Sequence, residues 1–175
     1  MSAHISTNDG RTFVPMFIKT PRKGSLSNFI QFELNIPCVL KVDELFPKEW
    51  ISIFEASVYD TDYTYHAYIV SYDGGRIWLN TPFPNFSPLV LNNGGLLFGI
   101  NARTNEIVYS FDEGNVYYRK NVFKEHEFIL NVVPNGFCQK EYIIIVGTSM
   151  SLDTWIFTHL NFSNIFSKFD FLSQV

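Results

Sequence analysis

Cysteine, charge and long apolar runs are all scarce in this chain. Two of its 175 residues are cysteines, Cys38 and Cys138, too few for a disulfide framework and without metal-ligand spacing. They read equally as one disulfide or as two buried thiols. Charged residues make up 17% of the chain, against about 25% in an ordinary soluble domain. The 13 Lys and Arg face 17 Asp and Glu, for a net charge of −4, and nowhere form a basic tract. Nucleic acid is therefore not an expected partner, because affinity for a phosphate backbone rests on grouped Lys and Arg. Apolar runs such as Ile143–Val146 are a handful of residues long, whereas a membrane-spanning helix needs about 20. The stretch Met1–Arg11 has neither the basic nor the apolar segment of a secretory signal. Neither a leader nor direct membrane insertion is expected of this segment. The four histidines, His4, His66, His126 and His159, are scattered; no metal site and no other cofactor is expected.

Aromatic residues are plentiful. The chain holds 18 Phe, 9 Tyr and 3 Trp, within a hydrophobic share of 46%. That composition excludes a disordered chain, and a globule of this length buries about 70% of its unfolded surface. Aromatics at this density suit strands, where flat rings pack on a pleated face. Short segments rich in Val, Ile, Phe and Tyr are broken throughout by Gly, Pro, Asn and Asp, which predicts an all-β chain. Strands are expected over Phe29–Leu34, Ile51–Val58, Tyr65–Ser71, Arg76–Asn80, Ser87–Leu91 and Leu96–Asn101. More are expected over Glu106–Ser110, Asn115–Asn121, Glu127–Val132, Glu141–Gly147 and Thr154–Asn161. Asn92-Asn93-Gly94-Gly95 and Val133-Pro134-Asn135-Gly136 carry turn signals. A helical turn fits only Val42–Trp50, where Pro47 keeps it short. Many short strands imply a sandwich, a barrel or a propeller.

Internal repeats choose among these. Ser71-Tyr72-Asp73-Gly74-Gly75-Arg76-Ile77-Trp78 and Ser110-Phe111-Asp112-Glu113-Gly114-Asn115-Val116-Tyr117 share the frame Ser-x-Asp-x-Gly-x-x-aromatic. A third copy, Ser6-Thr7-Asn8-Asp9-Gly10-Arg11-Thr12-Phe13, has Asn in the third place. Each copy falls where one strand ends and the next begins. The oxygen of Asp73, Asp112 or Asn8 is expected to accept backbone N–H groups of its own turn. Gly10, Gly75 and Gly114 supply a conformation that a Cβ would penalise. Phe13, Trp78 and Tyr117 are expected to fold back over the hairpin as plugs. Ser71 and Ser110 lie 39 positions apart, about the length of a four-stranded propeller blade. Ser6 and Ser71 lie 65 apart, which implies an insertion, of which Lys19–Ser27 is part.

This frame is the Asp-box of sialidases, other glycosidases and sortilin-type sorting receptors. The chain resembles the C-terminal blades of the ten-bladed Asp-box propeller in the sortilin family, the luminal domain of vacuolar protein sorting receptors, from Met1 to about Phe166. Ser87–Ile100 with its Gly94-Gly95 turn, followed by Ile107–Gly114, is similar to one family block. Phe128–Val133, Tyr142–Gly147 and Trp155–Phe162 are similar to the next. The resemblance implies a partial β-propeller of three to four blades over 1–167 and a C-terminal tail over 168–175. It implies binding of protein or peptide cargo inside the propeller tunnel, with release on acidification and without catalysis. It places the chain on the luminal side of Golgi, endosome or plasma membrane, as one piece of a single-pass receptor or a shortened relative of one. The cysteine pair common in the family's insertion is absent from Thr20–Asn35.

Two other functions fit the same turns. One is the Asp-box half of a sialidase-type glycoside hydrolase, which grips a carboxylate substrate with converging guanidinium groups. Arg11 and Arg76 sit inside the turns, however, and Arg22, Arg103 and Arg119 fall in unrelated segments. Asp73 and Asp112 read as turn caps rather than as catalytic carboxylates. The other is a small stand-alone propeller that serves as an interaction module. Asn161-Phe162-Ser163 and Asn85-Phe86-Ser87 are N-glycosylation sequons, the second followed by Pro88.

Overall fold

Alternating apolar residues and turn signals become strands almost throughout. The structure, a computed structural model, describes residues 4–6, 8–19, 29–59, 63–83, 86–124, 126–134 and 142–163. The strands are β1 (His4–Ile5), β2 (Val14–Pro15), β3 (Phe17–Lys19), β4 (Phe29–Leu34), β5 (Ser52–Tyr59), β6 (Thr64–Ser71) and β7 (Ile77–Asn80). They continue with β8 (Leu89–Leu91), β9 (Leu96–Asn101), β10 (Glu106–Ser110), β11 (Tyr118–Asn121), β12 (Glu127–Pro134), β13 (Tyr142–Ser149) and β14 (Trp155–Asn161). One turn of α-helix, α1 (Val42–Leu45), stops before Pro47, and a 3-10 turn over Asn92–Gly94 joins β8 to β9.

Three departures from the sequence reading have local causes. The strand expected from Ser87 begins at Leu89, because Pro88 offers no N–H to a ladder. The strand expected from Asn115 begins at Tyr118, because the Asn115 and Val116 amides close the preceding turn. Val133 and Pro134, expected in a turn, end β12 and pair with Ile144 and Ile143. Asn135, Gly136, Glu141 and the 167/168 boundary lie outside the described residues.

β1 and β2 form a two-stranded antiparallel sheet. β3 to β7 close into a five-stranded barrel in which β3 pairs antiparallel with β4 and parallel with β7. That closure was not legible beforehand, since β3 has three residues and its Ile18↔Trp78 partner is remote in sequence. β8 to β11 form a four-stranded antiparallel meander, and β12 to β14 a three-stranded one.

Period-2 alternation then decides how the sheets stack. On β9, Leu96, Phe98 and Ile100 join Ile107 of β10 in a core shared with Ile129, Ile143 and Ile145 of the third sheet. Leu97 and Val108 point the other way, into a core shared with Ile51, Ile53 and Val70 of the barrel. The inner strands β9 and β10 are thus buried on both faces, while β11 is exposed along its length. Within the barrel, Met16, Ile18, Phe32, Phe54, Val58, Ile69 and Trp78 form a third core. Phe32 and Phe54 meet Trp78 edge-on, at ring-centroid distances of 6.1 and 6.0 Å.

Polar contacts fix the spacing between sheets. Asn105, left-handed at φ 55° in the β9–β10 turn, donates through Nδ2 to the Glu127 carbonyl at 2.7 Å. Its Oδ1 accepts the Ile129 N–H at 3.3 Å, beside the bulge in β12. The fully buried Phe83 ring lies over Gly99 and leaves no room there for a Cβ. Gly99→Ala should therefore destabilise by about 1–3 kcal/mol and Phe98→Ala by about 3–5 kcal/mol. Urea unfolding of the full chain measures both losses.

Candidate functional site: hydrogen-bonded turns and an inter-sheet cavity

The three repeated segments occupy the β1–β2, β6–β7 and β10–β11 joints, and their hydrogen bonds follow one plan. In each, the serine hydroxyl donates to the side-chain oxygen two residues on: Ser6 to Asn8 at 3.1 Å, Ser71 to Asp73 at 2.8 Å and Ser110 to Asp112 at 2.7 Å. The same serine oxygen accepts the glycine amide four residues on, from Gly10 at 2.9 Å, Gly75 at 2.9 Å and Gly114 at 3.0 Å. The Asn8, Asp73 or Asp112 oxygen in turn accepts the amide four residues on, from Thr12 at 2.9 Å, Ile77 at 3.0 Å and Val116 at 2.9 Å. Arg76 adds its amide to Asp73 at 3.0 Å. The glycines hold φ values of 76°, 89° and 84°, which a side chain would strain.

Burial separates the copies. Ser71 and Ser110 are wholly buried, whereas the Ser6–Phe13 turn is solvated, and its Ser6–Asn8 bond is exposed. Trp78 is buried on β7 and donates its indole N–H to the Gly75 carbonyl at 2.8 Å. Phe13, expected to plug its turn, is 63% exposed instead. The two-residue strands of that hairpin give its ring no sheet to cover. Tyr117 tucks its hydroxyl under Gly114. Among the described residues its hydroxyl and that of Tyr72 find no hydrogen-bond partner. Burial pushes both phenols far above their ordinary range.

Burial alone would raise the Asp112 carboxyl, but hydrogen bonds from Ser110 and the turn amides outweigh it and hold Asp112 below its ordinary value. A related turn, not anticipated from the sequence, joins β13 to β14. There Asp153 accepts the hydroxyls of Ser151 at 2.6 Å, Ser149 at 2.9 Å and Thr154 at 3.1 Å. These bonds lower the Asp153 carboxyl. Ser151-Leu152-Asp153 repeats the Ser-x-Asp spacing without the glycine, and Leu152 takes the left-handed conformation at φ 59°.

Other candidate residues remain apart. Arg11 and Arg76 are exposed in two different turns. Arg103 lies in the β9–β10 turn, at the opposite end of that sheet from the Ser110–Tyr117 turn. Arg119, on β11, reaches Glu106 at 4.0 Å. Arg22, Cys138 and Asn85 lie outside the described residues. Cys38 is exposed, not buried, in the irregular segment before α1. His66, on β6, contacts Asn35 and Ser57, each at 3.3 Å. His159, on β14, stacks on Tyr142 at 5.4 Å. Asn161 is exposed at the end of β14, where its Oδ1 accepts the Ser163 amide at 2.8 Å. No group of three or more His, Cys, Asp or Glu among the described residues is arranged to hold a metal ion. No helix among them is long and apolar enough to cross a membrane.

A cavity of about 670 Å³ opens between β8, β12 and the α1 turn. Val90 and Pro88 form its apolar wall, Asn131 lies on the β12 side, and Asp43, Glu44 and Lys48 bring charge to it. That volume falls in the ordinary range for ligand sites, about 300–1,000 Å³. Compared with known proteins, the chain matches no family model and no curated sequence.

The turn geometry predicts a graded response at Asp112. Asp112→Ala leaves backbone donors without their acceptor and should cost about 1–3 kcal/mol. Asp112→Asn keeps the oxygen, as Asn8 does in the first turn, and should cost less than half as much. Because the folded carboxyl titrates below its ordinary value, near about 3.9, its stabilisation is complete above that pH. It is lost as pH falls through the lower folded value. Urea midpoints measured from pH ~6 down to ~2 should fall less steeply for Asp112→Asn than for the unaltered chain.

Proposed function

We propose that this chain forms blades of a sortilin-type Asp-box β-propeller and serves as a binding surface for protein or peptide segments. In this reading it performs no chemistry. It belongs to the luminal or extracellular part of a single-pass sorting receptor that moves cargo between Golgi, endosome and lysosome or vacuole. The observation that carries the reading is the shared hydrogen-bond closure of the Ser6–Phe13, Ser71–Trp78 and Ser110–Tyr117 turns. A second support is the face-to-face stacking of the antiparallel β8–β11 and β12–β14 sheets, the relation in which neighbouring blades stand.

The cavity supports a binding role. β8 and β12 are the first strands of the second and third sheets, and in a propeller the first strand of each blade lines the central channel. A peptide lying along that channel would pass the apolar Val90 wall and the acidic Asp43, beside a Glu44 already paired with Lys41 at 2.9 Å. The recognised segment is therefore an extended peptide with apolar residues and one basic side chain.

Panning random peptides displayed on phage against the folded 175-residue chain tests this. Peptides of that kind should be enriched, and Asn131→Arg, at the exposed cavity rim, should weaken them by about tenfold or more. Failure to retain any peptide, or turnover of a fluorogenic sialoside by the folded chain, contradicts the reading.

A further inference from the structure

We propose that β14 is a self-pairing edge, through which two copies of the chain join their third sheets antiparallel across a two-fold axis. β13 covers one side of β14, with Tyr142↔Asn161 through Thr148↔Trp155 in register. Among the described residues, no strand pairs with the other side. That side presents a row of backbone donors and acceptors seven residues long.

Other described edges of the stacked sheets carry a feature that discourages such pairing. β8 is three residues long and follows Pro88. β11 exposes Arg119 and Lys120. β12 contains a bulge between Ile129 and Asn131 and ends in Pro134. The barrel strands close on one another. β14, by contrast, reads Trp155-Ile156-Phe157-Thr158-His159-Leu160-Asn161, without Pro, Gly, Lys, Arg, Asp or Glu. Its ladder with β13 runs without a register shift. Trp155 and Phe157 are 64% and 68% exposed.

A second copy of the chain fits this edge because β14 complements itself. Centred on Thr158, an antiparallel pair sets Ile156 opposite Leu160 of the second copy and Phe157 opposite His159. Trp155 then stands opposite Asn161, and Thr158 faces Thr158. Ile156 and Leu160 lie on the inner face, against the shared core, so aliphatic meets aliphatic there. Phe157 and His159 lie on the outer face, where His159 already stacks on Tyr142. Aromatic and aliphatic cross-strand pairs stabilise a ladder, and the register brings no like charges together. The contact is isologous and closes at two copies, giving one continuous sheet from β12 through both β14 strands to β12 of the second copy.

Sedimentation equilibrium of the full chain should report twice the protomer mass of 20.3 kDa. The exposed-face variant Phe157→Lys should raise the dimer dissociation constant about tenfold or more. Register is read by cross-linking, in a background with Cys38→Ser and Cys138→Ser. Thr158→Cys faces its own copy at an antiparallel Cα separation of about 4.5–5.5 Å, within disulfide reach, and should oxidise to a covalent dimer. Phe157→Cys faces His159 and should not. A monomer at all concentrations overturns the proposal. So do open-ended polymers, or cross-linking at 157 as efficient as at 158.

Discussion

Everything in this molecule hangs on the two-sided burial of β9 and β10, the inner strands of the β8–β11 sheet. Successive residues of β9 serve different cores: Leu96, Phe98 and Ile100 face the third sheet, and Leu97 faces the barrel. A shift of register by one residue would exchange those sets. It would also place a side chain where Gly99 admits the Phe83 ring. The sheet is thus a shared wall, and the barrel and the β12–β14 sheet each bury a face against it. Asn105 adds a polar link to β12 where alternation is interrupted by the bulge.

The turns follow from the same packing. Where a strand ends in a buried serine, the glycine amide four residues on is shut off from water and needs an acceptor from within the chain. A serine hydroxyl and a carboxylate or amide oxygen supply the acceptors in each repeated turn. Where stacking is closest, Ser71 and Ser110 are wholly buried. Where the hairpin stands in solvent, as around Ser6, Asn replaces Asp and Phe13 is exposed. Rigid turns of this kind hold the connecting loops on a fixed frame.

The longer strands were legible because period-2 alternation and turn residues mark them independently. Leu96–Asn101 and Glu106–Ser110 match the expected limits at both ends. The turn chemistry was legible too, since Ser-x-Asp-x-Gly states both the acceptors and the left-handed position. What escaped reading depends on remote partners. β3 is three residues long, and only its pairing with β4 and β7 makes it a strand. The Asp153 turn escaped because Leu152 stands in the left-handed conformation without a glycine to announce it. The cavity, the exposure of Cys38 and the solvated Phe13 are properties of tertiary packing, which local pattern does not carry.

Amide hydrogen exchange of the full chain tests the two-sided wall most directly. Amides of Leu96–Ile100 and Ile107–Val108, paired across β9 and β10 and buried on both faces, should exchange slowest, at rates set by global unfolding. Those of β11 at the exposed sheet edge should exchange at least about a hundredfold faster. Equal or faster exchange in β9 than in β11 would contradict the account, because the middle sheet could not then be the wall on which the others rest.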